Sequence, residues 1–467
     1  MRVVVRGGML TVVAAALMTA APGAFADTIE TALVQAYQNN PQVNAQRAQV
    51  RATDENVPQA LSGYRPRVSA TASYGAQYID SKTSTTTTAG GAVTVNQHGW
   101  NDPRGVGATM TQTLFNGFQT GNRTRQAESQ VFAARETLRV IEQTVLLDAA
   151  TAYMNVLRDS ATLDLQRRNV EVIQEQLRQT RDRFNVGEVT RTDVAQAESR
   201  VAAAQSQMLA AQSNLATSRA AYRRIIGVEA GRLRAGTPVD RLSPRSLDLA
   251  VAQGQAENPS VTAAEYGVDV AALQVKVNEG ALYPVVTLQA SAQQNYDTSI
   301  NSSRQFAGAV VGQVTVPLYQ GGAEYSLIRQ AKETVSQQRL NLALNRDQAR
   351  ANVVQSWAQL EAAKAQIEAT RAQVAAAEIA LNGVREEARV GQRTTLDVLN
   401  AQQELVNARV ALVTAQRDRV VASYTLLSAV GRLSVPVLGL QVPLYDPMVH
   451  YQQVRDSWAG VRTPDGK

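Results

Sequence analysis

The chain has 467 residues, a formal net charge of +6, two histidines and no cysteine. Without cysteine there are no disulfides, no thiolate metal site, no catalytic thiol and no lipid carried on an N-terminal sulfur. The small net charge, with basic and acidic residues mixed along amphipathic segments, reads as a solvated surface and excludes a nucleic-acid footprint.

The first element is a secretory signal over 1–26. Arg2 and Arg6 supply the positive start, Leu10 to Ala21 a short apolar stretch, and Ala24-Phe25-Ala26 a cleavage site, so the mature chain is expected from Asp27. That apolar stretch is short of the ~20 residues of a membrane-spanning helix, and no later segment is longer. A membrane part of this chain therefore has to be built from strands.

From Asp27 onward the chain repeats itself. Asn40-Pro41 returns as Asn258-Pro259 and Tyr64-Arg65-Pro66 as Leu282-Tyr283-Pro284, both at an offset of 218. Leu114-Phe115-Asn116-Gly117 returns as Leu318-Tyr319-Gln320-Gly321, and Val186-Gly187 as Val390-Gly391, at an offset of 204. The unit is far longer than the ~20–50 residues of solenoid repeats. It divides the mature chain into a first repeat, 27–235, and a second, 236–435, followed by a tail, 436–467. Between the two offsets the second copy has lost fourteen residues. The surplus falls in Ser81 to Gly99, a Thr/Ser/Gly-rich run expected to be an exposed loop; its counterpart is a short connection near Thr298 to Ser303.

Each repeat opens with helical pattern, over Thr28 to Leu61 and Ser246 to Ala281. Strands follow, at about 64–80 and 104–117, then about 283–297 and 306–320. Val68, Ala70, Ala72, Tyr74, Ala76 and Tyr78 alternate with Ser69, Thr71, Ser73, Gly75 and Gln77; Val310, Val314, Val316 and Leu318 sit against Gln313 and Thr315. Period two over about ten residues, one face apolar and one small and polar, is the pattern of a transmembrane barrel strand; a half-buried soluble sheet shares it. Long helices come next, at about 119–185 and 191–227, then about 322–389 and 395–431. In the first, Ala127, Val131, Ala134, Leu138, Ile141 and Val145 form a coiled-coil seam. About 65 residues at 1.5 Å each make a helix of roughly 100 Å, more than a globular domain needs. Gly187 and Gly391 are placed to end these helices in a left-handed cap. A plain structural coiled coil fits the seams but leaves the strands unexplained. Four strands cannot close a barrel, and open edges in lipid are prohibitive. The chain must therefore oligomerise, and the small polar faces favour a wide pore of three or more copies.

The duplicated plan resembles the TolC-type outer-membrane factors over essentially the whole mature chain. The resemblance is carried by Asn40-Pro41, Tyr64-Arg65-Pro66, Leu114-Phe115-Asn116-Gly117, the Val-Gly turns, and the run from Gly391-Gln392-Arg393-Thr394 through Asp397-Val398-Leu399-Asn400-Ala401. It implies a homotrimer sharing a twelve-stranded outer-membrane barrel, with a helical tunnel extending into the periplasm. It also implies, as partners, a periplasmic adaptor and an inner-membrane transporter, ABC-type or proton-driven, with outer-membrane lipid around the barrel. The implied function is export of proteins or small molecules, by type I secretion or tripartite efflux. In such proteins the periplasmic mouth is closed by helical hairpins and guarded by acidic rings. Asp397 matches the first ring aspartate, Asn400 stands in place of the second, Arg393 matches a latch arginine, Asp193 its partner, and Ala388 replaces a latch tyrosine.

The same residues have a purely local reading, because Thr190 to Asp193 and Thr394 to Asp397 have capping-box spacing with an acid in the helix's first turn. Neither His98, in the expected outer loop, nor His450, in the tail, belongs to a metal cluster or a catalytic triad. No cofactor, structural metal or enzymatic activity is expected. The fold expected is mostly α with a transmembrane β part. A periplasmic adaptor is the alternative reading, but adaptors bracket one helical hairpin rather than two.

Overall fold

The computed structural model describes residues 27–86, 90–298, 303–464 and 466; the expected signal segment lies outside them. The first repeat opens with three short helices, α1 (Ile29–Asn39), α2 (Pro41–Asp54) and α3 (Asn56–Leu61), where the periodicity suggested one. The break at Asn40 has a plain cause. Pro41 cannot supply an amide to a continuing helix, and the residue before a proline is pushed out of the helical region. Asn40 is extended and starts a new helix with Pro41 at its first position. The second repeat does the same at Asn258, between α6 (Leu247–Glu257) and α7 (Pro259–Gly280).

Four strands form one antiparallel sheet: β1 (Arg67–Tyr74), β4 (Arg104–Asn116), β5 (Val285–Tyr296) and β6 (Arg304–Thr315), in the order β1-β4-β5-β6. The first is shorter than the alternation implied. Its ladder stops at Tyr74 opposite Arg104, because Pro103 has no amide to donate, and the Gly75 amide donates to the Pro103 carbonyl instead. Tyr78 thus belongs to a different strand. Likewise β6 ends at Thr315, two residues before Pro317, so Val316 and Leu318 leave the sheet. The expected loop over Ser81 to Gly99 is a second correction. Most of it is a hairpin of β2 (Gln77–Thr86) and β3 (Ala92–Asn101), which pair with each other and not with the main sheet. Residues 87–89, and 299–302 of the second connection, fall outside the described set. Thr/Ser-rich composition marked the surplus as surface, but the β-branched threonines also suit a strand.

The helical body consists of α4 (Gln119–Asn185) with α5 (Arg191–Ile226), and α8 (Ala323–Arg389) with α9 (Thr395–Ala429). Both first arms have 67 residues, roughly 100 Å. Their buried residues follow the expected seams: Ala127, Val131, Leu138 and Val145 in α4, Ala331, Val335, Ala349 and Val353 in α8. No helix among the described residues is long and apolar enough to cross a membrane. The main core lies midway along the body, where Leu33, Tyr153, Tyr222, Tyr424 and Leu427 meet. The Tyr153 hydroxyl lies 2.8 Å from the Asp27 carbonyl and 2.7 Å from that of Arg234, tying the start of the described chain to the linker between the repeats. The tail forms α10 (Val435–Leu438) and α11 (Pro447–Val454) and runs back along α2 and α4.

Candidate functional site: the hairpin mouth and the open sheet

Each long hairpin turns by the same local chemistry. The α4 arm ends at Val186, and Gly187 takes φ +82°, a value that suits a residue without Cβ. The Glu188 amide then reaches back to the Arg183 carbonyl at 2.9 Å and the Gly187 amide to Phe184 at 2.9 Å. Gly391 repeats this with φ +80°, Gln392 donating to Glu387 and Gly391 to Ala388. The two bonds together satisfy carbonyls that a helix end leaves open.

The returning helices begin with capping boxes. The Thr394 amide and hydroxyl donate to Asp397 Oδ2 at 3.0 and 2.9 Å, and the Asp397 amide donates back to Thr394 Oγ1 at 3.2 Å. Thr190 and Asp193 form the same figure at 2.9, 2.7 and 3.3 Å. These donors stabilise the ionised acid. The Thr394 amide first, then its hydroxyl, hold Asp397 below the usual carboxylate range; for Asp193 the Thr190 hydroxyl leads. One carboxylate oxygen of each acid does the capping, and each side chain remains partly exposed.

The structure does not bring Arg393 to Asp193 within one chain. Arg393 Nε donates to Glu387 Oε2 at 2.8 Å, closing its own turn, and that hydrogen bond raises the basicity of the guanidinium. What joins the two hairpins is different. Leu399 packs among Val170, Ile173, Ala197 and Ala204 of the first hairpin. Beside it, Arg200 Nη2 donates to Asn400 Oδ1 at 2.7 Å. One turn inward, Arg385 donates to Gln402 Oε1 at 3.1 Å, and Gln402 reaches Asn169 Oδ1 at 3.5 Å in a buried setting. Arg200, Arg385, Asn169 and Gln402 escaped sequence reasoning. The one available signal was polar residues interrupting an Ala/Val/Leu seam.

At the other end, β1 and β6 pair on one side only among the described residues, and both are exposed along their whole length. Tyr74, Arg104, Tyr296 and Arg304 form one row across the sheet's outer end. There Arg104 and Arg304 lie 5.7 and 5.8 Å from the Tyr296 ring centre, and Arg104 Nη2 is 3.0 Å from Asp297 Oδ2. His98 sits in β3 opposite Asp80, and His450 is buried with Nδ1 3.0 Å from Asp54 Oδ2. No group of three or more acidic or histidine side chains among the described residues could hold a metal ion.

Comparison with known proteins agrees with this geometry. Residues 32–228 and 250–432 match the family model for outer membrane efflux proteins. The chain is 42% identical over 447 residues to the outer membrane efflux protein BepC of Brucella suis, covering 95% of this chain and 94% of that one. It is 26% identical to the outer membrane protein TolC of Vibrio cholerae, over 90% of this chain and 94% of the relative. The solved structure of VceC from Vibrio cholerae superposes with a TM-score of 0.73, at 20% identity, over 86% of this chain and 96% of that one. The chain belongs to the outer membrane efflux protein family and is an outer-membrane channel of the efflux kind.

Proposed function

We infer, from that membership and from the open sheet, that three copies close their sheets into one twelve-stranded barrel, with the helical hairpins as a tunnel into the periplasm. The observation that carries this is the pair of free edges on β1 and β6. In lipid each unpaired backbone group costs several kcal/mol, so a four-stranded sheet has to be completed by other copies. The helical body supports the same reading: the large apolar side chains of Leu340, Leu344 and Ile379 on α8 are uncovered in a single chain, at 65–74% exposure. Mass measurement in mild detergent should return three chains. A monodisperse monomer that keeps its sheet would overturn the shared barrel.

On this reading the Gly187 and Gly391 turns form the periplasmic mouth, where an adaptor and an inner-membrane transporter dock. Three Asp397 carboxylates converge on the axis as the narrowest fixed negative charge. With one oxygen engaged in capping, each acid presents the other to the lumen. Arg393, free of Asp193 in the single chain, reaches it only across a boundary between copies. The role is conduction and docking rather than catalysis, and no cofactor is required. Single-channel recording of the purified trimer tests it: a conducting pore whose cation selectivity depends on Asp397 supports the mouth, and a non-selective pore indifferent to Asp397 removes it.

A further inference from the structure

We propose that the C-terminal tail is a strap that carries an anchor, Trp458, into the periplasmic leaflet of the membrane, where it binds anionic phospholipid. The inference rests on the barrel reading above, since it takes the start of β1 as the level at which the sheet enters lipid.

The tail's path is fixed by its contacts. Val435, Leu438, Leu440 and Val442 pack into the main core. The Tyr445 amide then donates to the Tyr37 hydroxyl at 3.2 Å, beside the Arg47–Glu142 pair. His450 meets the fully buried Asp54, and Arg135 packs against Tyr451, 5.2 Å from its ring centre. Arg455 lies 3.5 Å from Glu128. From Glu142 to Glu128 the strap climbs α4 by about 21 Å toward the sheet. It ends on Arg65, whose guanidinium donates to the Ser457 carbonyl and lies 4.7 Å from the Trp458 ring centre. Arg65 is itself held at the rim, because the neighbouring Tyr64 carbonyl accepts from Gln112 of β4 at 2.8 Å.

A chain segment held this firmly nonetheless leaves Trp458 72% exposed and Val461 fully so. Tyr64 and Val68, on either side of Arg65 in sequence, are 57% and 72% exposed. Amphipathic rings at a bilayer's polar boundary are the usual occupants of such a level. Arg65 beside the indole, with Arg67 two residues on at the start of β1, supplies the charge that a phosphate headgroup requires.

The chain has three tryptophans, so replacing Trp100 and Trp357 by Phe leaves Trp458 as the sole emitter. In phosphatidylglycerol vesicles with bromine near the glycerol end of the acyl chains, its emission should be quenched strongly. Bromine at the chain end should quench it weakly, and phosphatidylcholine should reduce the effect. Arg65→Ala should lose the quenching while the trimer persists. A tryptophan-free chain carrying Val310→Trp, on the apolar face of β6, reports the barrel separately. Quenching there but none at Trp458 overturns the anchor and leaves the barrel standing; quenching at neither removes both. Emission from Trp458 that shifts only when a periplasmic adaptor is added would assign the patch to a protein and sink the lipid proposal.

Discussion

At the scale of single residues, Asp397 caps α9 through Oδ2, and on the proposed reading of the mouth its second carboxylate oxygen adds a gate role. Asp397→Asn keeps the side chain's shape and a capping oxygen, so trimer yield should hold. Block by divalent cations added from the periplasmic side should disappear, because the ring loses its charge. Loss of trimer with unchanged block would leave capping as the residue's whole role. The neighbouring position behaves differently from what the resemblance implies. An acid at Asn400 looks like a rebuilt second ring, yet Arg200 already occupies the Asn400 oxygen at 2.7 Å. Asn400→Asp should therefore form an ion pair between the hairpins and tighten the mouth, lowering conductance without strengthening block. Combining it with Arg200→Ala should free the new carboxylate and strengthen block; equal block in the single and double variants would show that Arg200 does not hold it. Sequence disclosed Asp397 and Asp193 because capping is a contact over three positions. It hid Arg200, whose partner is 200 positions away.

At the scale of elements, the duplicated Asn-Pro pair has a use that spacing alone did not disclose. Asn40 Oδ1 accepts from the Gln42 amide at 2.8 Å while its Nδ2 donates to the Ile225 carbonyl at 2.9 Å. Asn258 repeats this with Ser260 at 2.9 Å and Ala429 at 3.1 Å. One amide thus starts a short helix and satisfies the last turn of a long one. Asn258→Ala should cost about 1–2 kcal/mol for the cap, with a further penalty for the carbonyl left open. Trimer dissociation on heating in detergent should occur several degrees lower, and Asn258→Asp, which keeps the acceptor only, should fall between. An unchanged dissociation temperature would mean the junction is held elsewhere. Long helices and the alternation of strands were legible because their periods run on for many residues. Their ends were not, because Pro103, Pro317, Pro41 and Pro259 act through missing amides at single positions. The β2/β3 hairpin was missed because a threonine-rich stretch with a two-residue period on neither face carries no burial signal.

At the scale of the whole molecule, the orientation follows from which end carries the hairpin and which the long turns. An epitope inserted next to Gly90 should be labelled on intact cells, and one beside Gly187 only after the outer membrane is breached. The opposite result would invert the molecule. The duplication was readable from sequence down to individual landmarks, and with it the two-hairpin plan. The order of strands was not, since nothing local says that β4 of the first repeat pairs with β5 of the second.

That pairing has a consequence for how the protein is made. Thr113 sits opposite Thr287, with the whole of α4 and α5 threaded between them. The helical arms can form from near neighbours as the chain emerges, whereas the sheet has to wait until the second repeat has crossed into the periplasm, and, on the shared-barrel proposal, its outer edges until other copies arrive. For that interval β1 and β4 are a sticky half-product in water. The slow step in biogenesis is thus the meeting of distant strands, and a shortage of periplasmic holding chaperones should deplete this channel sooner than it depletes a barrel whose strands are all sequential hairpins.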